Sequence, residues 1–163
     1  MTAESYIIRV FPRRTRATPD DALAYVGDPP MWLSETEVRE VHVSCTFTWD
    51  RTEASRLASA WQFRFPAARV RLGGPACGSP AGDFEPGMYV KRGYTITSRG
   101  CPNHCPNCLV PSLEGALRTL PIRDGYNVLD NNLLACPEAH IAAVLAMLRR
   151  QPERARFTGG LEA

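Results

Sequence analysis

The stretch from Arg99 to Val110 reads RGCPNHCPNCLV, and it decides how the rest of the chain is interpreted. It places Cys101, Cys105 and Cys108 at successive spacings of four and three residues. Thiolates are the usual ligands of iron–sulfur clusters, and three of them on one short loop can hold three irons of a four-iron cluster. The fourth iron then has no protein ligand, so a small molecule can bind there and receive an electron.

Two other interpretations of the three cysteines are open on the residues alone. Zinc prefers four ligands, and the fourth would have to come from His104, Cys77 or Cys136. The cysteines can also be buried thiols with no chemical role. Proline follows both Cys101 and Cys105, which is typical of an exposed, shaped loop and favours the cluster.

The cysteine loop lies within an alternation of predicted strands and helices. A strand over residues 93–97 leads directly into it, and residues 127–129 and 154–158 are two further predicted strands. Between the last two, Pro137 suits the first turn of a helix that ends near Arg150. The apolar residues of this helix recur at helical spacing, namely Ile141, Val144, Leu145 and Leu148.

This order of elements is typical of the opening of a parallel βα barrel. Each candidate segment then follows a strand, at the carboxyl-terminal rim where barrel enzymes carry their chemistry. Three strands do not close a barrel and would leave their edges uncovered. We therefore expect the chain to be an amino-terminal fragment or one part of a larger assembly, incomplete as an enzyme by itself.

The first half of the sequence predicts a smaller α/β unit, with strands at residues 6–11, 40–47 and 68–72. A helix over about residues 53–61, capped by Asp50 or Thr52, separates the last two strands. Its predicted apolar face consists of Ala54, Leu57, Ala58 and Trp61. Strand, helix and strand in this order favour a Rossmann-like βαβ unit with a parallel strand pair.

Proline and glycine mark the segments that we predict to be irregular. They are frequent in residues 12–33, which we interpret as turns and loop. They are frequent again in residues 78–87, which we interpret as a connection between two units. The predicted units are therefore residues 1–88 and residues 89–163.

Composition limits the classes of partner and compartment. The 163 residues carry 19 basic and 17 acidic side chains, without the basic stripe that binds nucleic acid. No apolar run approaches ~20 residues, so we expect neither a signal peptide nor a membrane span. Six cysteines in such a chain favour ligands and buried thiols over disulfides, and the expected compartment is the reducing cytoplasm. The buried or half-buried thiols would be Cys45, Cys77 and Cys136.

Three segments carry a resemblance to a known family. They read GYTITSRGCP at residues 93–102, VLDNNLL at residues 128–134 and FTGGLE at residues 157–162. With the cysteine spacing, they resemble successive rim motifs of the radical S-adenosylmethionine (SAM) superfamily. They are most similar to the branch that has a cobalamin-binding-like domain ahead of a partial βα barrel.

The resemblance implies a reaction and its cofactors. The amino and carboxylate groups of SAM would chelate the free iron of a 4Fe-4S cluster. An electron, supplied by a protein such as a flavodoxin or ferredoxin, would cleave SAM to methionine and a 5′-deoxyadenosyl radical. That radical would remove a hydrogen atom from a substrate that the sequence does not identify. The cofactors carry the chemistry, and the protein positions them.

The resemblance also assigns contacts with SAM. Asp130, Asn131 and Asn132 follow the second strand, where the family contacts the SAM amino group. Their oxygens can accept hydrogen bonds from an ammonium. The same three residue types are also ordinary in turns and helix caps.

Four further positions complete the predicted SAM site. Gly159 and Gly160 permit close approach of the backbone to a ligand, or form a simple turn. Glu162 either contacts the ligand or is solvated. Asn107 occupies the position before the third cysteine, where the family usually has an aromatic residue near the adenine.

The first half resembles a reduced form of the cobalamin-binding domain through its βαβ unit and the segment VRLGGP at residues 70–75. In that family a histidine within an Asp-x-His-x-x-Gly motif binds cobalt, and this sequence lacks the motif. His42 lies within a strand pattern and is expected to be a packed or an edge residue, whereas His140 lies on a helix and is expected to be half-exposed. We therefore expect no cobalamin.

The leading functional hypothesis is a radical SAM enzyme of unknown substrate. One alternative is a non-catalytic interaction module in which the same cysteines hold zinc or a structural cluster. Another is a methyltransferase or methylthiotransferase that uses the same cluster.

Overall fold

The chain divides into two compact units, Met1–Glu85 and Pro86–Ala163, whereas the sequence suggested a boundary after residue 88. The computed structural model describes residues 7–33, 38–77 and 84–160. The fold is mixed α/β. No helix in the described residues has both the length and the apolar composition needed to cross a bilayer.

The first unit contains a four-stranded, fully parallel sheet among its described residues. Its strands are β1 (Ile7–Phe11), β2 (Ala24–Val26), β3 (Glu40–Ser44) and β4 (Arg69–Gly73), in the spatial order β2-β1-β3-β4. Val43 is opposite both Val10 of β1 and Leu72 of β4. This sheet confirms the predicted parallel pair and is compatible with a Rossmann-like unit.

Strand β2 corrects the prediction that residues 12–33 are only turns and loop. It is three residues long and has no alternation of its own that would reveal it. Backbone hydrogen bonds at its two ends, from Arg9 to Leu23 and from Gly27 to Phe11, hold it against β1. The pairing with a longer neighbour, rather than local propensity, therefore makes this segment a strand.

Helix α1 (Arg51–Arg64) connects β3 to β4 and is longer at both ends than predicted. Ala54, Leu57 and Trp61 are fully buried on the face that packs against the sheet. The indole of Trp61 also donates a hydrogen bond of 3.1 Å to the carbonyl of Gly27. Burial of this apolar face is the main source of stability for the unit.

Asp50 occupies the N-cap position of α1, but its side chain makes no capping hydrogen bond. Both carboxylate oxygens instead accept hydrogen bonds from the guanidinium of Arg13, at 2.6 and 2.5 Å. Of the two predicted caps, Asp50 occupies the N-cap position without making a capping hydrogen bond, and Thr52 lies within the helix. The bidentate ion pair with arginine is stronger than a single capping hydrogen bond, so the carboxylate faces Arg13.

In the second unit, three short strands form a parallel sheet in chain order: β5 (Tyr94–Thr95), β8 (Asn127–Val128) and β9 (Arg156–Phe157). Three elements that the sequence analysis did not predict lie between β5 and β8. An antiparallel pair joins β6 (Ser98–Arg99) to β7 (Arg118–Thr119), and the short helix α2 spans Val110–Glu114.

Helix α3 (Glu138–Arg149) connects β8 to β9 and confirms the helix predicted after Pro137. Its buried residues are Val144, Met147 and Leu148, whereas Leu145 is 41% exposed. The predicted apolar face was therefore wrong at Leu145. At 3.6 residues per turn, the buried stripe is centred near Val144, and Leu145 lies about 100° away from that residue.

Candidate functional site

The cysteine loop begins at the end of β6 and runs to α2. Cys101 is half-buried, whereas Cys105 and Cys108 are exposed. A backbone hydrogen bond of 3.1 Å from Cys108 to the carbonyl of Cys105 closes a turn between the last two. The loop therefore presents two of the three thiols to solvent, as the proline pattern predicted.

Within the described residues, no three His, Cys, Asp or Glu side chains are arranged so as to hold a metal ion. All six cysteines of the chain are described, and all are free thiols. Three soft donors on one loop, with Cys105 and Cys108 accessible, match the ligand type that iron–sulfur clusters use. The loop thus fits a cluster in donor chemistry.

Gly100 fixes the start of the loop. Its φ of 83° lies in the left-handed region, and a Cβ at this position would overlap the backbone carbonyl of Ala116. Its amide donates a hydrogen bond of 3.1 Å to Oδ1 of Asn131. Only glycine meets these requirements without strain, so the residue before Cys101 is held in one conformation.

Asp130 is 1% exposed and accepts hydrogen bonds from the segment that leads into the cysteine loop. The amide of Thr97 donates to Oδ1 at 2.6 Å, and the hydroxyls of Thr97 and Ser98 donate to Oδ2 at 2.5 and 2.9 Å. Bonds to a charged acceptor are stronger than neutral ones. Asp130 therefore braces the end of one strand against the next, and its contact with SAM stays a prediction.

Asn132 makes the most informative contact in the site. Its Nδ2 donates to Sγ of Cys101 at 3.4 Å, and its Oδ1 accepts from the amide of Ala135 at 3.2 Å. Together with Asp130 and Asn131, it bonds the segment after β8 to residues 97–101. Three consecutive side chains thus hold the entrance to the cysteine loop.

Gly159 and Gly160 approach the same segment from β9. The amide of Gly160 donates to the carbonyl of Asp130 at 2.7 Å, and that of Gly159 donates to the carbonyl of Val128 at 3.3 Å. A Cβ at Gly159 or Gly160 would overlap the backbone of residues 129–131. The glycine pair therefore permits close approach of two stretches of this chain.

Arg99, for which the sequence allowed either a carboxylate partner or a place on the surface, forms a largely buried ion pair with Glu114. Arg99 Nε lies 3.7 Å from Glu114 Oε1, and Arg99 Nη1 donates to the carbonyl of Leu129 at 3.1 Å. Burial lowers the pKa of Arg99, with the charges of Glu114 and Asp130 opposing this effect. Glu114 also lies 3.5 Å from Arg118, measured between their closest charged atoms.

The remaining predicted residues of this unit lie as follows. His140 is half-buried, with Nε2 3.4 Å from the hydroxyl of Thr97. Asn107 is exposed beside Cys108. Glu162 lies outside the described residues. Cys136 is buried, as expected.

In the first unit, His42 is buried as expected. Its Nε2 lies 2.9 Å from Oε1 of Glu40, and its ring stacks on Phe84 with centroids 4.6 Å apart. The hydrogen bond with His42 holds the pKa of Glu40 below its usual value. Cys45 is buried, but Cys77 is exposed, which corrects the expectation of a buried or half-buried thiol.

Alkylation should separate the thiols by position. Burial raises the pKa of Cys45 to about 11, and the neighbouring Cys77 adds to this effect. Because iodoacetamide reacts with thiolates, we expect metal-free protein at pH 8 to label Cys105 at least about tenfold faster than Cys45. Mass spectrometry of tryptic peptides over time measures both rates. Equal rates would contradict the burial of Cys45.

Comparison of the chain with protein-family models, with curated proteins and with solved structures gave no match. The candidate site therefore rests on the cysteine spacing, on the side-chain hydrogen bonds between residues 97–101 and 130–132, and on the backbone hydrogen bond from Gly160 to Asp130.

Proposed function

We propose that this chain binds a 4Fe-4S cluster through Cys101, Cys105 and Cys108 and uses it, with SAM, as a radical SAM enzyme. The observation that carries the proposal is the meeting of three segments in the second unit. Residues 97–101, 130–132 and 158–160 each follow a different strand of the β5-β8-β9 sheet, and hydrogen bonds join the second segment to the other two. The carboxyl ends of parallel strands are where α/β folds bind their ligands.

The cluster, when bound, would supply the electron that cleaves SAM reductively. The chain's own contribution is to hold the ligands and to orient SAM. Gly100 and the bonds from residues 130–132 fix the position of Cys101, while the turn at Cys105–Cys108 brings the other two thiols onto one exposed loop. A preorganised loop loses less conformational entropy when its ligand binds.

The proposed SAM contacts fall into two groups. Asp130 and Asn132 are buried and hydrogen-bonded within the chain, so besides their proposed contacts with SAM they would hold the loop that carries the cluster. Asn131 is half-buried and Asn107 is exposed, so each has surface available for a ligand. We also propose that Gly159, Gly160 and Glu162, which follow β9 in the sequence, contact SAM.

The proposal also includes an electron donor and a compartment. Exposure of Cys105 and Cys108 would let a flavodoxin or ferredoxin approach the cluster closely. Free thiols throughout the chain are compatible with a reducing cytoplasm.

Anaerobic reconstitution with iron and sulfide tests the proposal. We expect about four irons and four sulfides per chain, with broad absorbance that bleaches in air. Reduced, reconstituted protein incubated with SAM should release 5′-deoxyadenosine, measured by liquid chromatography. Protein that instead holds one zinc and no iron after reconstitution would contradict the cluster, and a full cluster without 5′-deoxyadenosine would contradict the SAM chemistry.

A further inference from the structure

The amide of Asn132 bridges two groups that are far apart in the sequence. Its Oδ1 caps a short helical turn over Leu133–Ala135 by accepting from the amide of Ala135, and its Nδ2 lies 3.4 Å from Sγ of Cys101. The side chain is only 3% exposed. Water therefore has little access to these contacts.

The two contacts determine which way the amide faces. If its oxygen and nitrogen were exchanged, the NH2 group would meet the N–H of Ala135 and the oxygen would meet the Cys101 sulfur. The Ala135 position would then pair two donors, which leaves a buried N–H unsatisfied, and a Cys101 sulfur bound to a cluster would face an oxygen with no hydrogen between them. The cap at Ala135 thus directs the N–H donor of Asn132 toward the sulfur.

We propose that Asn132 is a positioning residue that raises the reduction potential of the cluster by donating a hydrogen bond to the Cys101 sulfur. The inference rests on the proposed function, because it needs Cys101 to be a cluster ligand. Reduction adds one negative charge to the cluster and its sulfurs. A donor aimed at a ligand sulfur stabilises that added charge, and hydrogen bonds to sulfur are among the factors that set cluster potentials.

The neighbouring asparagine provides a matched control. Asn131 holds the same loop, but its Oδ1 accepts a hydrogen bond from the backbone amide of Gly100, and that bond does not involve a sulfur. General loosening of the loop should therefore affect the Asn131 and Asn132 variants alike. Loss of a donor to sulfur should affect only the Asn132 variants.

The test uses Asn132→Ser and Asn132→Thr, because either hydroxyl can still cap the amide of Ala135 but is too short to reach the sulfur. The cluster potential is measured without SAM, by following the electron paramagnetic resonance signal of the reduced protein against applied potential. We expect both variants to keep about four irons. Their equilibrium constant for one-electron reduction should fall about tenfold, which corresponds to about 59 mV. Asn131→Ser should change that constant less than about threefold.

Three outcomes would overturn the inference. One is an unchanged potential in both Asn132 variants, and another is an equal fall in Asn131→Ser. The third is loss of the cluster from both Asn132 variants while circular dichroism shows them folded, since Asn132 would then serve assembly rather than potential. A wild-type chain that binds no cluster would instead refute the proposed function itself.

Discussion

Replacing Cys105 by alanine should abolish cluster binding. A site with one open iron depends on three protein thiolates, so removing one leaves a second iron without a ligand. Because Cys105 is exposed, its replacement by alanine should neither open a cavity nor leave a buried group without its hydrogen-bond partner. We expect less than about a tenth of the wild-type iron and sulfide after anaerobic reconstitution, measured by colorimetric analysis and by absorbance near 400 nm.

Cys77→Ala is the matched control, because Cys77 is also an exposed free thiol but belongs to the other unit. It should retain the wild-type content of iron and sulfide. Wild-type iron in Cys105→Ala, or equal losses in both variants, would show that the cysteine loop does not hold the cluster.

Asp130→Ala should destabilise the second unit by about 3 kcal/mol. The substitution removes the acceptor of three hydrogen bonds and leaves the amide of Thr97 and the hydroxyls of Thr97 and Ser98 without it in a buried site. Asp130→Asn should lose less, because Oδ1 can still accept from Thr97. Since the same bonds support the entrance to the cysteine loop, iron content and SAM binding should fall together in Asp130→Ala.

The distribution of tryptophan allows each unit to be followed separately. Trp32, Trp49 and Trp61, the three tryptophans of the chain, all belong to the first unit. Urea unfolding followed by tryptophan fluorescence should therefore be unchanged in Asp130→Ala. Amide hydrogen exchange in residues 94–132 should accelerate about a hundredfold. Wild-type exchange rates in that segment would mean that Asp130 does not brace it.

The sequence predicted those elements whose stability comes from their own residue pattern. Strand β3 alternates around Val41 and Val43, and the apolar residues of α1 recur at helical spacing, so both were expected. Strand β2 was not, because its pairing with β1 stabilises three residues that carry no signal. The exposed Leu145 shows the same limit, since the packing partner decides which side of a helix is buried.

The candidate site also combines features that the sequence predicted with features that only the structure shows. Its ligand types were evident from Cys101, Cys105 and Cys108, because spacing within one loop is a local property. The roles of Asp130 and Asn132 depend on partners more than thirty residues away, namely Thr97 and Cys101. Residue type identified them as polar groups at a strand end, but only the pairing of the strands shows what they hold.

The hydrogen bond from Asn132 to Cys101 has a consequence for the order of events during synthesis. A growing chain completes the cysteine loop first, because Asn132 follows Cys101 by thirty-one residues. Until β8 has paired with β5, the loop lacks the support of residues 130–132. Metal delivered before that pairing would meet a cysteine loop without this support, so insertion of the cluster should follow the pairing of β8 with β5.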